Sequence, residues 1–394
     1  MRGHIKKRYK NSDSWSVVIE LPRDPDTGKR RQQWITVKGT KKNAQRELHS
    51  ALARLESGSY VKPAKLTVKE YLGQWLEDYA AINVRPRTYE RYREIVNYHL
   101  IPALGSVPLS GLQSHQVQSY YSKALISGRI DGKGGLSART VNHHHRILFA
   151  ALRYAVKHDM LIRNVCESVD PPRPEDKQMT VTDAQGVNRL LEAVRDTIYY
   201  PIFYTAVYTG LRRSELLALR WQNVDLDFAT LSVTETVHCL KNKEFVFNPP
   251  KSKRGKRSIA LSPSLAIMLR EHKVQQAVIL ERLGIHLQES DFVFSNPDGT
   301  PIRPDNITWT FRRIARSVGL PKMRFHDLRH THATLMLQQG INPKVISERL
   351  GHSSIAITLD IYSHVMPGMQ ESAAKRFDES IQAALNEQQK INIG

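Results

Sequence analysis

The chain of 394 residues is 40% hydrophobic and 24% charged; this fits folded domains rather than a disordered chain, and the length exceeds one ordinary core, so two or three domains are expected. Lys and Arg number 58 against 38 Asp and Glu, a formal net charge of +20, an excess that suits a polyanion-binding protein and that an enzyme of small metabolites does not need. Residues 1–60 hold 14 basic and 6 acidic side chains, residues 61–175 hold 16 and 10, and the remainder 28 and 22, so every part of the chain is expected to face the same polyanion.

The first 60 residues read as three short strands and a helix. Strands are expected at 4–9, 15–21 and 31–37, the last two joined by the turn-forming run PRDPDTGKR. Thr40 is placed to cap a helix through Leu55, with Ala44, Leu48, Ala51, Leu52 and Leu55 on one face and Gly58 past its end. Lys6, Lys7, Arg8 and Lys10 gather near the first strand, and Lys29, Arg30 and Arg31 at the turn. A three-stranded sheet laid into the major groove would bring them to DNA. Trp15 and Trp34 read as packing residues rather than base-stacking ones.

VKPAKLTV leads into a second unit at about 65–170 that reads as all-helical. Val68, Tyr71, Leu72, Trp75 and Leu76 recur at helical spacing over 67–79; further helices are expected at 87–98, 115–127 and, behind Ser137, to His158. The second helix interleaves Arg85, Arg87, Arg91 and Arg93 with Thr88, Tyr89 and Tyr92, and the last carries Arg139, Thr140, Asn142, His143 and Arg146 on its early turns. Such side chains suit contacts to phosphates and base edges. The run His143–His145 is no metal site, because consecutive helical residues point in different directions.

DPPRPEDKQ, with three prolines, reads as the linker to a last domain at about 179–394. Strands are expected there at 230–239, 244–248 and 257–261, and helices at 264–283, 306–317, 325–339, 343–350 and 354–362. A helix at 369–389 has Met369, Ala373, Phe377, Ile381 and Leu385 on one side. The two cysteines, Cys166 and Cys239, stand far apart, which excludes a disulfide framework or cysteine-rich zinc finger and suits a reducing cytoplasm. No apolar run is long enough for a membrane span, and MRGHIKKRYK lacks the apolar core of a secretory signal.

Four pieces of the last domain bear chemistry. TGLRRSELLALRW sets Arg212 and Glu215 three apart; HDLRHTHAT does the same for His326 and Arg329; LGHSS holds His352 past a helix end; and DIYSHV puts Tyr362 ten residues after His352. Two guanidinium groups, two imidazoles and a phenol are what phosphoryl transfer to a tyrosine requires. Planar Arg forks match the non-bridging oxygens of a phosphodiester. A phenol of unperturbed pKa about 10 needs a cationic site and a proton acceptor.

In this order and at these separations, TGLR…E, HxLRH, LGH and Tyr resemble the tyrosine recombinase (phage integrase) family, and the resemblance extends over the whole chain. It implies a multidomain α+β protein: an arm-type DNA-binding module at 1–60 with a small three-stranded β-sheet plus helix, an all-α four-helix core-binding (SAM-like) domain at 65–170, and a mainly α catalytic domain with a small β-sheet at 179–394. It makes Arg212 and Arg329 phosphate clamps, Glu215 the acidic residue orienting the site, His326 the general base, His352 the second histidine and Tyr362 the nucleophile of a 3′-phosphotyrosyl bond. Arg213, His330 and His332 carry no role in the pattern. A hairpin lysine would protonate the leaving oxygen; PPKSKRGKRSIAL follows the pattern Lys-Thr/Ser-x-x-x-x-Arg, which selects Lys251 and leaves Lys253 and Lys256 open. The family needs no cofactor or metal. It implies double-stranded core and arm sites as partners, a homotetramer on DNA in the cytoplasm, a directionality factor and a host DNA-bending protein, and a tail helix that packs on a neighbour or on its own domain. A type IB topoisomerase, or a catalytically silent DNA-binding regulator, is the competing reading.

Overall fold

The computed structural model describes residues 3–7, 13–21, 28–56, 66–175, 179–250, 252–362, 371, 374, 375 and 377–382. Two compact units emerge, Met1–Asp176 and Lys177–Gly394. In the first, strands β1 (Gly3–Lys7), β2 (Ser14–Leu21) and β3 (Arg31–Lys38) pair antiparallel in the order β1-β2-β3. Their alternation puts Ile5, Trp15, Val17, Ile19, Ile35 and Val37 on one face, where helix α1 (Lys41–Glu56) covers them with Ala44, Leu48 and Ala51. Trp34 pairs with Val18 in the register and therefore belongs to the opposite face, 60% exposed. The packing expected of Trp34 is thus corrected by strand parity; Trp15, on the helix side, does pack.

The helical part follows the expected spacing. Thr67 caps α2 (Val68–Trp75) in a reciprocal box with Glu70, whose carboxylate accepts the Thr67 N–H at 2.7 Å. α2 runs on through a wider π turn, Leu76–Ala80, and α3 (Pro86–Ile95) does the same through Val96–Leu100. With α4 (Ser114–Ser127) and α5 (Ala138–Lys157) they enclose Tyr71, Leu72, Trp75, Leu100, Tyr121 and Leu148. The Tyr71 hydroxyl donates to the Ala151 carbonyl and ties α2 to α5.

The second unit opens with two helices beyond those expected, α6 (Ala184–Glu192), whose Val187, Leu190 and Leu191 stand at helical spacing behind the Asp183 cap, and α7 (Tyr200–Thr209). α7 reads YPIFYTAVYT and is apolar or aromatic nearly all round, so it shows no stripe; it is a central helix, with Ile202, Phe203, Ala206 and Val207 buried. The short α8 (Arg213–Leu216) precedes a sheet of β4 (Val224–Asp225), β5 (Thr230–Val233) and β8 (Arg257–Ala260), interrupted by a hairpin of β6 (Thr236–Cys239) and β7 (Phe245–Asn248). The single strand expected at 230–239 is therefore two strands in different sheets. Thr234 and Glu235 lie between the two ladders, their side chains bonded to Asn223 at 3.3 Å and Arg220 at 3.4 Å. Helices α9 (Pro263–Glu281), α10 (Pro304–Ser317), α11 (Asp327–Gln338), α12 (Pro343–Leu350) and α13 (Ile355–Tyr362) complete the unit around Phe203, Trp221, Phe294 and Phe311. Of the tail helix expected at 369–389, only scattered residues are described, and its packing lies outside them.

Gly210 ends α7 in the left-handed region, φ 64°. A Cβ there would stand 2.6 Å from Leu350 and 2.8 Å from His332, so both conformation and space demand glycine. Gly210→Ala is expected to cost this unit about 1–3 kcal/mol. A urea midpoint equal to wild type would show that α7, α11 and α12 do not meet as closely as described.

Candidate active site

The ends of α7, α11, α12 and β8 converge, and each brings one functional side chain. Arg212 precedes α8 and closes a ring with Glu215: its backbone N–H donates to Oε2 at 3.0 Å and its Nη1 to Oε1 at 2.7 Å. Glu215 also takes a two-pronged contact from Arg257, Nη2 to Oε2 at 2.9 Å and Nη1 to Oε1 at 3.3 Å. The carboxylate is 1% exposed and the Arg257 side chain 6%. Burial pushes the Glu215 carboxyl up, but hydrogen bonding and charge from Arg257, then Arg212, outweigh it and hold it below the usual range. One negative charge between two positive ones leaves the cluster cationic.

Arg329 is buried on the inner face of α11 and stitches two chain ends together, Nη1 to the Gly210 carbonyl at 2.8 Å and Nη2 to that of Leu350 at 2.6 Å. Arg212 Nη2 reaches the next carbonyl, Gly351, at 3.4 Å. Gly351 turns α12 off with φ 67° and delivers His352 into the same place. His352 is buried, with Nδ1 2.8 Å from the Thr358 hydroxyl. Burial, then Arg329, Arg212, His330 and Arg257, push it down to about 3. His326 stands at the start of α11, edge-on to His330 with ring centroids 5.0 Å apart. It keeps exposed surface, yet the protein crowded around the ring, then His330, Arg329 and Arg212, push it down to about 4. Both imidazoles are therefore neutral near pH 7 and can accept a proton inside a cationic site.

Arg212, Glu215, Arg329 and His352 are thus brought together through shared carbonyls and one carboxylate. Tyr362 closes α13 at the backbone; its side chain, like Lys251, lies outside the described residues. Lys256 is exposed and lines a cleft of about 570 Å³ with Arg254, Arg257, Ser347, His352 and Ser353. Arg213 turns away to α10, donating to the Pro304 carbonyl at 2.9 Å and to Thr308. His332 is buried, with Nδ1 2.8 Å from the Val207 carbonyl and Nε2 facing the Arg349 Nε–H at 3.2 Å, so it braces α7, α11 and α12.

Sequence reasoning gave no role to Arg257, the Arg that closes the pattern begun by Lys251, and passed over Arg349 and Asp327. Arg257 sits two residues before buried Ile259 on β8, and so on the core-facing side of the strand. A basic residue at an inward position is the signal that could have found it. Asp327 is fully buried and holds the turn before α11, accepting from the Arg324 backbone N–H at 2.8 Å and its guanidinium at 2.9 Å.

In the first unit, Lys7, Lys29 and Arg30 are exposed beside the sheet; Arg8 and the Arg31 side chain lie outside the described residues. On α5, Arg139 and Arg146 are exposed and His143 half-buried, at helical spacing on one face, and Arg91 of α3 acts on His143 electrostatically. Arg85 and Thr88 are half-buried at the start of α3, Arg87 pairs with Glu90 at 3.0 Å, and Thr140 lies 2.9 Å from the Ser137 hydroxyl. Asn142 is drawn to the Pro172 carbonyl at 3.4 Å. His144 bonds Tyr120 at 2.7 Å and His145 bonds Tyr121 at 2.9 Å, so the three neighbouring imidazoles serve different partners.

Residues 180–368 match the phage integrase family, and residues 67–125 its N-terminal SAM-like domain. A tyrosine recombinase XerC-like protein of Caldanaerobacter subterraneus subsp. tengcongensis is 28% identical over 93% of this chain and 96% of its own length. The ICEBs1 integrase of Bacillus subtilis is 27% identical over 95% of this chain and 99% of its own. Among solved structures, the fold resembles that of the Tn1549 transposon integrase in complex with a circular intermediate DNA, with TM-score 0.65 at 21% identity over 79% of this chain and 99% of that one.

Glu215→Gln is expected to leave the buried Arg257 charge uncompensated and to cost about 3–5 kcal/mol at neutral pH. The folded carboxyl is held low, so its contribution is complete above the unfolded-state value of about 4.3 and fades as pH falls through the folded one. Urea unfolding of both proteins down a pH series reads this; a gap between them that stays constant into acid would contradict it.

Proposed function

The chain belongs to the phage integrase family of tyrosine recombinases, and we propose that it integrates and excises a mobile element by cutting and rejoining DNA with Tyr362. The Tyr362 oxygen attacks the scissile phosphorus, the bond to the 5′ oxygen breaks, and a 3′-phosphotyrosyl bond and a 5′-hydroxyl result. That bond keeps the energy of the cleaved strand, so rejoining is the same step in reverse, with no nucleotide consumed.

Arg212 and Arg329 neutralise the non-bridging oxygens, with Glu215 fixing the first of them. A well-aimed donor of this type contributes on the order of 3–4 kcal/mol. His326 takes the phenol proton and His352 steadies the phosphate. Lys251 donates to the leaving oxygen, with Lys253 and Lys256 as the other amines of the segment. The observation that carries the reading is the junction of the Gly210, Leu350 and Gly351 carbonyls, where two arginines from distant segments converge beside a neutral imidazole.

The helical domain grips core sites through Arg85, Arg87, Thr88, Arg91, Arg139, Thr140, Asn142, His143 and Arg146. The N-terminal sheet, with Lys7, Arg8, Lys29, Arg30 and Arg31, takes arm sites. Four copies exchange strands pairwise on two DNA sites, helped by a DNA-bending protein and steered by a directionality factor. Full-length likeness to named integrases favours this over a topoisomerase or a silent regulator. Among the described residues no helix is long and apolar enough to cross a membrane.

A nicked attachment-site duplex should trap wild type as a detergent-resistant covalent complex and trap no Tyr362→Phe protein, while Arg329→Lys slows trapping by roughly 10²–10³-fold. A complex that survives Tyr362→Phe would unseat the nucleophile, and none with wild type the enzyme. Trp34, exposed on the sheet face away from α1, separates the two DNA contacts. Trp34→Ala should weaken arm-duplex binding in a shift assay and leave core-site cleavage unchanged; undiminished arm binding would move that interface off the sheet's open face.

A further inference from the structure

We propose that Arg257 is a positioning residue for the proton-donating half of the reaction, locking the basic segment between β7 and β8 against the phosphate clamp and the His352 loop. The inference rests on the recombinase reading above. Arg257 does not meet substrate itself: its side chain is 6% exposed, and all three nitrogens are engaged. Nε donates to the Arg349 carbonyl at 2.6 Å, Nη1 to that of Gly255 at 3.1 Å and to Glu215, and Nη2 to Glu215. These partners are the end of the helix that delivers His352, the basic segment, and the carboxylate that orients Arg212.

Arg254 adds a second grip, Nη1 to the Ser353 carbonyl at 2.6 Å. Residues 254–257 thus hold the loop on both sides of His352, at 349 and at 353. The fit is close: a Cβ on Gly351 would lie 2.9 Å from Arg257 Nη1 and 2.9 Å from the Arg254 carbonyl oxygen. Lys256, between the two arginines, lines the same cleft as His352. As the Tyr362 oxygen bonds to phosphorus, the electron pair of the breaking P–O bond passes to the 5′ oxygen, which takes a proton from a lysine ammonium of this segment and leaves a neutral amine. A shift of about 1 Å in such a donor can cost 10²-fold in rate.

Arg257→Lys keeps a charge beside Glu215 but cannot hold a carboxylate and two carbonyls in one plane. Single-turnover cleavage is measured on a nicked attachment-site duplex, and on the same duplex with sulfur in place of the bridging 5′ oxygen, which leaves as a thiolate without needing a proton. The variant is expected to cleave the ordinary duplex about 10²-fold slower than wild type and the sulfur duplex within about tenfold of it. One preparation meets both substrates, so any loss of folded protein lowers both rates alike and leaves their ratio unchanged. Equal slowing on both overturns the proposal and moves Arg257 to the clamp or to stability alone. Absence of a covalent complex with wild type removes the recombinase reading and this inference together; a wild-type complex with equal slowing removes only the inference.

Discussion

A buried carboxylate shared by two guanidinium groups sets the geometry of the catalytic unit. Glu215 cannot be charged in the interior without Arg257, and Arg257 cannot be buried without Glu215. Their mutual need draws β8 to the first turn of α8 and, through the Arg349 carbonyl, draws α12 to both. Arg212 joins as the outer member, 37% exposed, the one of the two guanidinium groups on Glu215 with a side open to a ligand. The site is built from the inside outward, and its most stable interaction is one that no substrate touches.

The second constraint is an excess of positive charge that the imidazoles must bear. His326, His330 and His352 are all held below their ordinary range, first by burial and then by the neighbouring arginines. An anion between Arg212 and Arg329 would raise those same pKa values. Substrate binding and proton acceptance are thereby coupled: the phosphate that needs a base also restores the affinity of that base for a proton.

Much of this was legible in the sequence. TGLR…E, HxLRH and LGH name Arg212, Glu215, His326, Arg329 and His352 because spacing on a helix is fixed by geometry, and the helices of the first unit follow from periodicity and from the cap at Ser137. Central elements were not legible. α7 is apolar all round and so shows no period. The 230–239 run reads as one strand because its alternation continues across Thr234 and Glu235, where the pairing passes from one sheet to another. Arg257 closes the pattern begun by Lys251, but the pattern gives it no partner, and strand parity is what distinguishes it as the arginine that faces inward. Trp34 was misjudged by the same parity, in the other direction.

The bond between His352 and Thr358 joins the LGHSS turn to α13. Thr358 lies inside that helix, one turn before the residue at which its backbone ends. The histidine therefore acts as an index mark for the helix, fixing its phase as well as its distance. One residue inserted after Thr358 would rotate everything beyond it by about 100° while leaving His352 where it stands. A change of count in this stretch would therefore disturb the phase of the helix beyond Thr358 where a change of letter would not.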